Sequence, residues 1–323
     1  LGSSTVTFEI NGLTPGTEFD QILNANGTGI TSTLTITNAK LHLDWGSYTP
    51  TVGDTFKIVD GSGPVSGTFA SVTNSNADII YTIDYSSNTS EVKIVVTDIN
   101  STWTGNTDTD WTKASNWSTI VPTATTDVTI PSGLSNYPTA NSAVTTNSIT
   151  MASGTSFIAN STVTGNVTYN RTLNYVAGNA NGWHLVASPV IGQAYNNTYA
   201  SDNDLATSGS KRGLATYNDA NAAGLKYTYL LNDDSNAGTF TSGIGYSVKR
   251  ASTGSIAFTG TLNTADVNGV TVSTAGNGFN LLGVPYTSFI SSQTFLDENT
   301  NVDQTQIWVW TRVFCKSKFR YDS

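Results

Sequence analysis

Loop aspartates spaced two apart can converge on one hard cation, because calcium gathers oxygen ligands from carboxylates, amides and carbonyls. The stretch WTGNTDTDWTKASNW, residues 103–117, offers that spacing at Asn106, Asp108 and Asp110. Ser201-Asp202-Asn203-Asp204 has the same spacing, and Asn232-Asp233-Asp234-Ser235-Asn236 has the composition. None completes an EF-hand, the first lacking both the turn glycine and the closing glutamate of that loop. Asx-turns without metal account for the same residues. Asn106, Asp108 and Asp110 are therefore the leading cation candidates, and Ca²⁺ is the one cofactor the sequence suggests.

The same fifteen residues hold Trp103, Trp111 and Trp117, three of the chain's seven tryptophans. Aromatic faces beside Asn and Asp suit a sugar-stacking platform, so these three, with Tyr227 and Tyr229, are the candidate glycan contacts. Tryptophans spaced across a turn also suit a buried girder that closes a β-module poor in other large side chains. The girder is the stronger of the two readings.

Other chemistries find few residues to carry them. Two histidines, His42 and His184, and the single Cys315 leave little for a zinc site and nothing for an internal disulfide framework. Both histidines lie in alternating strands, which suits exposed or hydrogen-bonded strand positions, and no G-x-S-x-G nucleophile elbow occurs. The glutamates are only Glu9, Glu18, Glu91 and Glu298, and the remaining loop acids Asp233, Asp234 and Asp297 stand among Asn, Gly and Ser. That setting favours turns and solvation over the apolar acid pocket a glycosidase needs. The chain is read as no enzyme.

Charged residues make up 11% of the 323, well below the usual fraction, and Thr, Ser, Asn and Gly take their place. The surface is thus neutral and hydroxylated, as in many extracellular β-proteins. With 14 basic against 23 acidic residues the net charge is −9, which speaks against nucleic acid as a partner. No run is long and apolar enough to span a membrane, and no basic-then-apolar leader opens at Leu1, so the start reads as a mature terminus or an excised segment.

Period-two alternation of β-branched residues marks strands at 4–10, 32–37, 79–85 and 91–96. Further short strands follow at 127–131, 148–151, 156–158, 162–164 and 166–169. Later ones fall at 183–186, 213–217, 227–230 and 243–249. Helical periodicity is weak, with candidates only at 220–225 and 289–295. The fold class is all-β, in tandem modules.

Tyr48-Thr49-Pro50-Thr51-Val52-Gly53-Asp54-Thr55-Phe56-Lys57-Ile58, followed by Gly67-Thr68-Phe69, resembles the terminal rungs of autotransporter passengers. Pro50 and Gly53 set a turn there, and Phe56, Ile58 and Phe69 alternate inward. Segment 1–98 is accordingly expected to be β-helix-like or a sandwich. The run from Trp103 through Asp110-Trp111, Asn116-Trp117 and Pro122 to Asp127-Val128-Thr129-Ile130 resembles a module of large exported bacterial surface proteins, especially type IX secretion cargo. Segment 99–175 is expected to form a small β-coil. In segment 176–310, Gly182-Trp183-His184-Leu185-Val186-Ala187-Ser188-Pro189 aligns with Gly278-Phe279-Asn280-Leu281-Leu282-Gly283-Val284-Pro285, which predicts a β-sandwich with an internal pseudo-repeat. Residues 311–323 form an atypical basic tail on which no function is placed.

These expectations converge on a non-catalytic, secreted or cell-surface structural or adhesin-like protein. Its partners would be extracellular glycan, a substratum or identical subunits, with assembly into a layer or filament. The alternative is a carbohydrate-binding accessory region of a larger secreted polysaccharide-degrading enzyme.

Overall fold

A computed structural model describes residues 2–24, 33–61, 63–85, 89–178, 180–303, 307–309 and 317–318. Most of the basic tail at 311–323 lies outside the described residues. The chain is all-β, with two short α-helices among the described residues, and divides into two compact units. Leu1–Thr102 joins Trp117–Asp127 in one, and Trp103–Asn116 joins Val128–Ser323 in the other. Among the described residues no helix is long and apolar enough to cross a membrane.

Alternation makes strands, but the choice of partner makes the fold. In the first unit β1 (Thr5–Glu9), β2 (Ile22–Asn24), β3 (Leu34–Thr35), β4 (Lys40–Asp44), β5 (Thr55–Gly61), β6 (Val65–Ser66) and β7 (Ser71–Asn74) pair in parallel. Thr5 stands opposite Lys40, and Lys40 opposite Ser71, so β4 lies between β1 and β7. β2 runs beside β5 and β3 beside β6. Each pass of the chain thus lays strands against their counterparts from the pass before. β8 (Ile79–Asp84) and β9 (Glu91–Ile99) then turn back, with β9 antiparallel to both β5 and β8, and β10 (Ser101–Thr102) follows.

The inward residues of these strands form one core, in which Phe8, Leu41, Leu43, Trp45, Phe56 and Ile94 are buried. Phe56 receives Trp45 edge-on at 5.5 Å and Phe19 at 5.5 Å, geometries that aromatic quadrupoles favour. Ile58 and Phe69 are buried with it, as the alternation after Gly53 predicts. The turn before them closes through the Asp54 carboxylate, which accepts from the Thr51 amide at 2.8 Å.

The second unit starts with β11 (Asp127–Ile130), β12 (Thr139–Ala140), β13 (Val144–Met151), β14 (Ile158–Ala159) and β15 (Val163–Leu173). β13 and β15 pair in parallel, as do β12 and β14, so here too successive passes stack. Sequence alternation suggested separate strands at 162–164 and 166–169, whereas β15 runs through both. Gly165 allows this by adopting φ 130° where the register to β13 shifts; a Cβ there would lie 2.6 Å from the Thr146 carbonyl oxygen.

The chain continues through β16 (His184–Val186), β17 (Val190–Ile191), β18 (Ala194–Tyr195), α1 (Asn197–Asp202), β19 (Thr207–Ser208), β20 (Lys211–Tyr217), β21 (Tyr227–Leu231), β22 (Gly238–Thr239), β23 (Tyr246–Val248) and β24 (Gly254–Leu262). β24 returns antiparallel onto β15, from Val167 opposite Gly260 to Leu173 opposite Gly254. The expected second and third segments therefore share one sheet. β16, β23, β20 and β19 make another, with β21 added on β20, while β18 pairs with β22. The last elements are α2 (Ser292–Glu298), β25 (Trp308–Val309) and β26 (Ser317–Lys318), the last two antiparallel.

Two expectations change. The first copy of the pseudo-repeat carries β16 and β17, but the second has only a bridge from Leu282 to Ile244. Main-chain bonds flank that bridge, the Gly245 amide donating to the Leu281 carbonyl at 2.9 Å and the Gly283 amide to the Gly243 carbonyl at 3.1 Å, and a buried carboxylate described below takes the Phe279 amide. The helical candidate at 220–225 forms turns, and the one at 289–295 overlaps α2, whose Ser291 side chain caps the Thr294 amide at 3.2 Å.

Candidate functional site

The loop after Trp103 is organised by a residue that the sequence reading passed over. Asn116 ends a 3-10 turn and is fully buried. Its side-chain oxygen accepts from the Thr107 amide at 2.9 Å and the Asp108 amide at 3.2 Å. Its side-chain nitrogen donates to Asp108 Oδ1 at 2.7 Å and to the Asp110 carbonyl at 3.0 Å. The signal was present in the Asn-Trp pair at 116–117, but nothing local shows that the amide points back into the loop.

The acids expected to hold calcium take protein donors. Asp108 Oδ1 also accepts from the Asp110 amide at 3.0 Å, and Oδ2 pairs with Lys113 Nζ at 2.7 Å. The Lys113 ammonium, then the Asn116 amide, hold the Asp108 carboxyl down at about 2 from an ordinary 3.8. Asp110 Oδ1 accepts from both the amide and the hydroxyl of Thr112, each at 2.9 Å. Asp108 and Asp110 thus close Asx-turns. A calcium ion bound at Asp108 would compete with an ammonium group already in place. Among the described residues no group of three or more His, Cys, Asp or Glu side chains gathers for a metal.

The tryptophans correct the sugar-platform expectation. Trp103, Trp111 and Trp117 are 0%, 3% and 6% exposed, so none offers a face to a sugar. Trp103 stacks on Trp111 at 6.5 Å, and Trp111 on Phe157 at 4.9 Å. The Trp103 indole donates to the Asn136 carbonyl at 2.8 Å, and Asn136 returns a bond to the Gly105 carbonyl at 2.9 Å. Gly105 lies so close that a Cβ would meet the Asn136 oxygen at 2.3 Å, at φ 60°. The W-x-G spacing is thereby a packing requirement. Of the other glycan candidates, Tyr227 is partly exposed and packs on Tyr217 at 5.1 Å. Tyr229 lies under Lys211 Nζ at 4.9 Å and meets Trp183 edge-on at 5.6 Å.

The histidines are strand residues with local partners, His42 with the Thr73 hydroxyl at 2.9 Å and His184 with the Asn174 carbonyl at 3.0 Å.

A groove in the second unit escaped the sequence reading. An open groove of about 1070 Å³ is lined by Arg171 of β15, Trp183, His184, Asn280, Phe279 and Phe289, among others. Behind its wall at 273–283 lies Asp219, which is 5% exposed. The Asp219 carboxylate accepts from Lys226 Nζ, from the Tyr217 hydroxyl at 2.7 Å, and from the amides of Asn277 and Phe279. Lys226 first, and Tyr217 second, hold this carboxyl far below the ordinary range. Burial, and then Asp219, push the Tyr217 phenol up. A groove of this size, with aromatic walls and a few polar groups, matches the form of small-molecule and oligomer sites.

No protein-family model, curated protein or solved structure matches the chain.

Proposed function

We propose that the chain is a non-catalytic structural or adhesin-like part of an exported bacterial surface protein, of the kind carried by type IX secretion. We read its parallel ladders as short β-coils, the first β-helix-like, that space and present a neutral surface at the cell exterior. The observation that supports this most is the stacking of successive chain passes in both units, β1-β4-β7 in one and β13-β15 with β12-β14 in the other. Such stacking grows by repetition of nearest-neighbour contacts and gives an extended scaffold. The loop acids favour the same reading, because their hydrogen bonds serve turns. Contacts to glycan, a substratum or identical subunits then fall to sheet edges and grooves.

The groove beside Arg171 favours a second reading, a carbohydrate-binding region serving a secreted polysaccharide-degrading enzyme. One assay addresses both. Beads coated with the chain are washed over immobilised polysaccharides while new reducing ends are titrated, and the free chain is sized by light scattering. Retained beads or growing assemblies without new reducing ends are expected. Reducing ends that rise with protein concentration, or a strict monomer whose beads hold to nothing, overturn the proposal.

A further inference from the structure

Exposed large hydrophobic side chains of the second unit include Ile191 and Leu225 away from the groove and a group of four within it. Phe279, Val284, Phe289 and Ile290 are 48%, 38%, 81% and 43% exposed, and all four line the groove described above. Exposed apolar patches of this kind mark binding surfaces. Among the described lining residues Arg171 is the one cation with a permanent charge, and Asp303 is the one carboxylate.

Arg171 differs from most basic side chains among the described residues, though Lys40 and Lys211 also make no ion pair there. Lys57, Lys93, Lys113, Lys226 and Arg250 all make ion pairs with carboxylates, and Arg212 donates to Asn197. Lys249 is taken up by the Gly178 and Asn181 carbonyls. Among the described residues, Arg171 has neither an ion pair nor a side-chain hydrogen bond. A guanidinium with its donors open, beside aromatic walls, combines bidentate carboxylate recognition with faces that carry CH-rich rings.

We propose that this groove binds an anionic polysaccharide built of uronic acids, with Arg171 taking a sugar carboxylate and Phe279 and Phe289 carrying the pyranose faces. Asn280 lines the same groove and braces its wall, accepting from the Ser273 amide at 2.9 Å and donating to the Ser273 and Gly278 carbonyls, each at 3.0 Å. Asp219 positions the wall through the Asn277 and Phe279 amides without itself lining the groove. The inference rests on the adhesive reading and names the ligand class that such adhesion would use.

The test is calorimetric titration of the whole chain with short oligogalacturonates and oligoguluronates, with neutral cello-oligosaccharides as the control. Binding of an acidic oligomer is expected, weakening as salt is raised, with no heat from the neutral one. Arg171→Gln should lower the affinity at least about tenfold, as loss of a charge-assisted pair does, without moving the melting temperature. Phe279→Ala with Phe289→Ala should lower it for every acidic oligomer, and Trp183→Phe should remove the accompanying fluorescence change. No acidic oligomer bound at millimolar concentration, or binding indifferent to Arg171→Gln, overturns the proposal. A dimer that Phe289→Ser dissolves assigns the groove to a second copy and also overturns it. Beads that hold to neutral glycans alone defeat this inference and leave the adhesive reading standing, whereas beads that hold to nothing defeat both.

Discussion

Replacing Asn116 by alanine tests whether the loop at 103–117 is a structural clamp. The side chain is fully buried and makes four hydrogen bonds, to the Thr107 and Asp108 amides, the Asp108 carboxylate and the Asp110 carbonyl. At roughly 1 kcal/mol net for each bond the loss approaches about 4 kcal/mol, and water reaching the half-exposed Asp108 returns part of it. The expected cost is roughly 3 kcal/mol, because two main-chain donors lose their only nearby acceptor. For a unit of this size that lowers the melting temperature by about 6–12 °C. The control is Ser115→Ala, which removes only the surface contact to the Thr107 hydroxyl at 2.8 Å and should cost less than about 1 kcal/mol. Urea denaturation followed by tryptophan fluorescence reads both. If Asn116→Ala unfolds at the same urea concentration as Ser115→Ala, the amide does not organise this loop and the reasoning is refuted.

Further outcomes follow from the same geometry. Because the Asp108 carboxyl is lowered from 3.8 to about 2, its contribution to stability is fully present above about pH 4 and is lost as pH falls toward 2. Asp108→Asn should flatten that part of the acid-denaturation curve, and an unaltered curve would discount the Lys113 pair. Trp111→Ala should cost about 3–5 kcal/mol through lost stacking on Trp103 and Phe157, against less than about 1 kcal/mol for Tyr227→Ala, as measured by calorimetry. The melting temperature should be the same in EDTA and in millimolar Ca²⁺, since Lys113 neutralises Asp108; a calcium-dependent rise would restore the loop as a metal site. Asp219→Asn should speed hydrogen exchange at the Asn277 and Phe279 amides, and unchanged protection there would show that the groove wall stands without it.

Much of the architecture is written locally in this chain. Alternation placed β1, β8, β9, β11, β20 and β21 within a few residues, because side-chain period and β-branching act over neighbouring positions. Helix α1 was missed although Asn196 signals it, accepting from the Tyr199 amide at 2.8 Å, since a six-residue helix shows almost no periodicity. The spacing of Trp103, Trp111 and Trp117 across a turn suits a buried girder, and all three are buried.

Partnership over distance is what only the tertiary structure decided. Parallel pairing of β1 with β4, or the return of β24 onto β15, leaves no mark within either strand, because main-chain donors accept any strand whose register buries the same face. The loop acids looked alike in sequence, yet Asp108 is claimed by Lys113 and Asn116 and Asp219 by Tyr217 and Lys226, choices set by which donors folding brings near. The groove is the clearest case. Arg171 and Phe279 stand far apart along the chain and line one cavity, because main-chain bonds to Gly243 and Gly245, with the Asp219 carboxylate on the Asn277 and Phe279 amides, bring the later strip there.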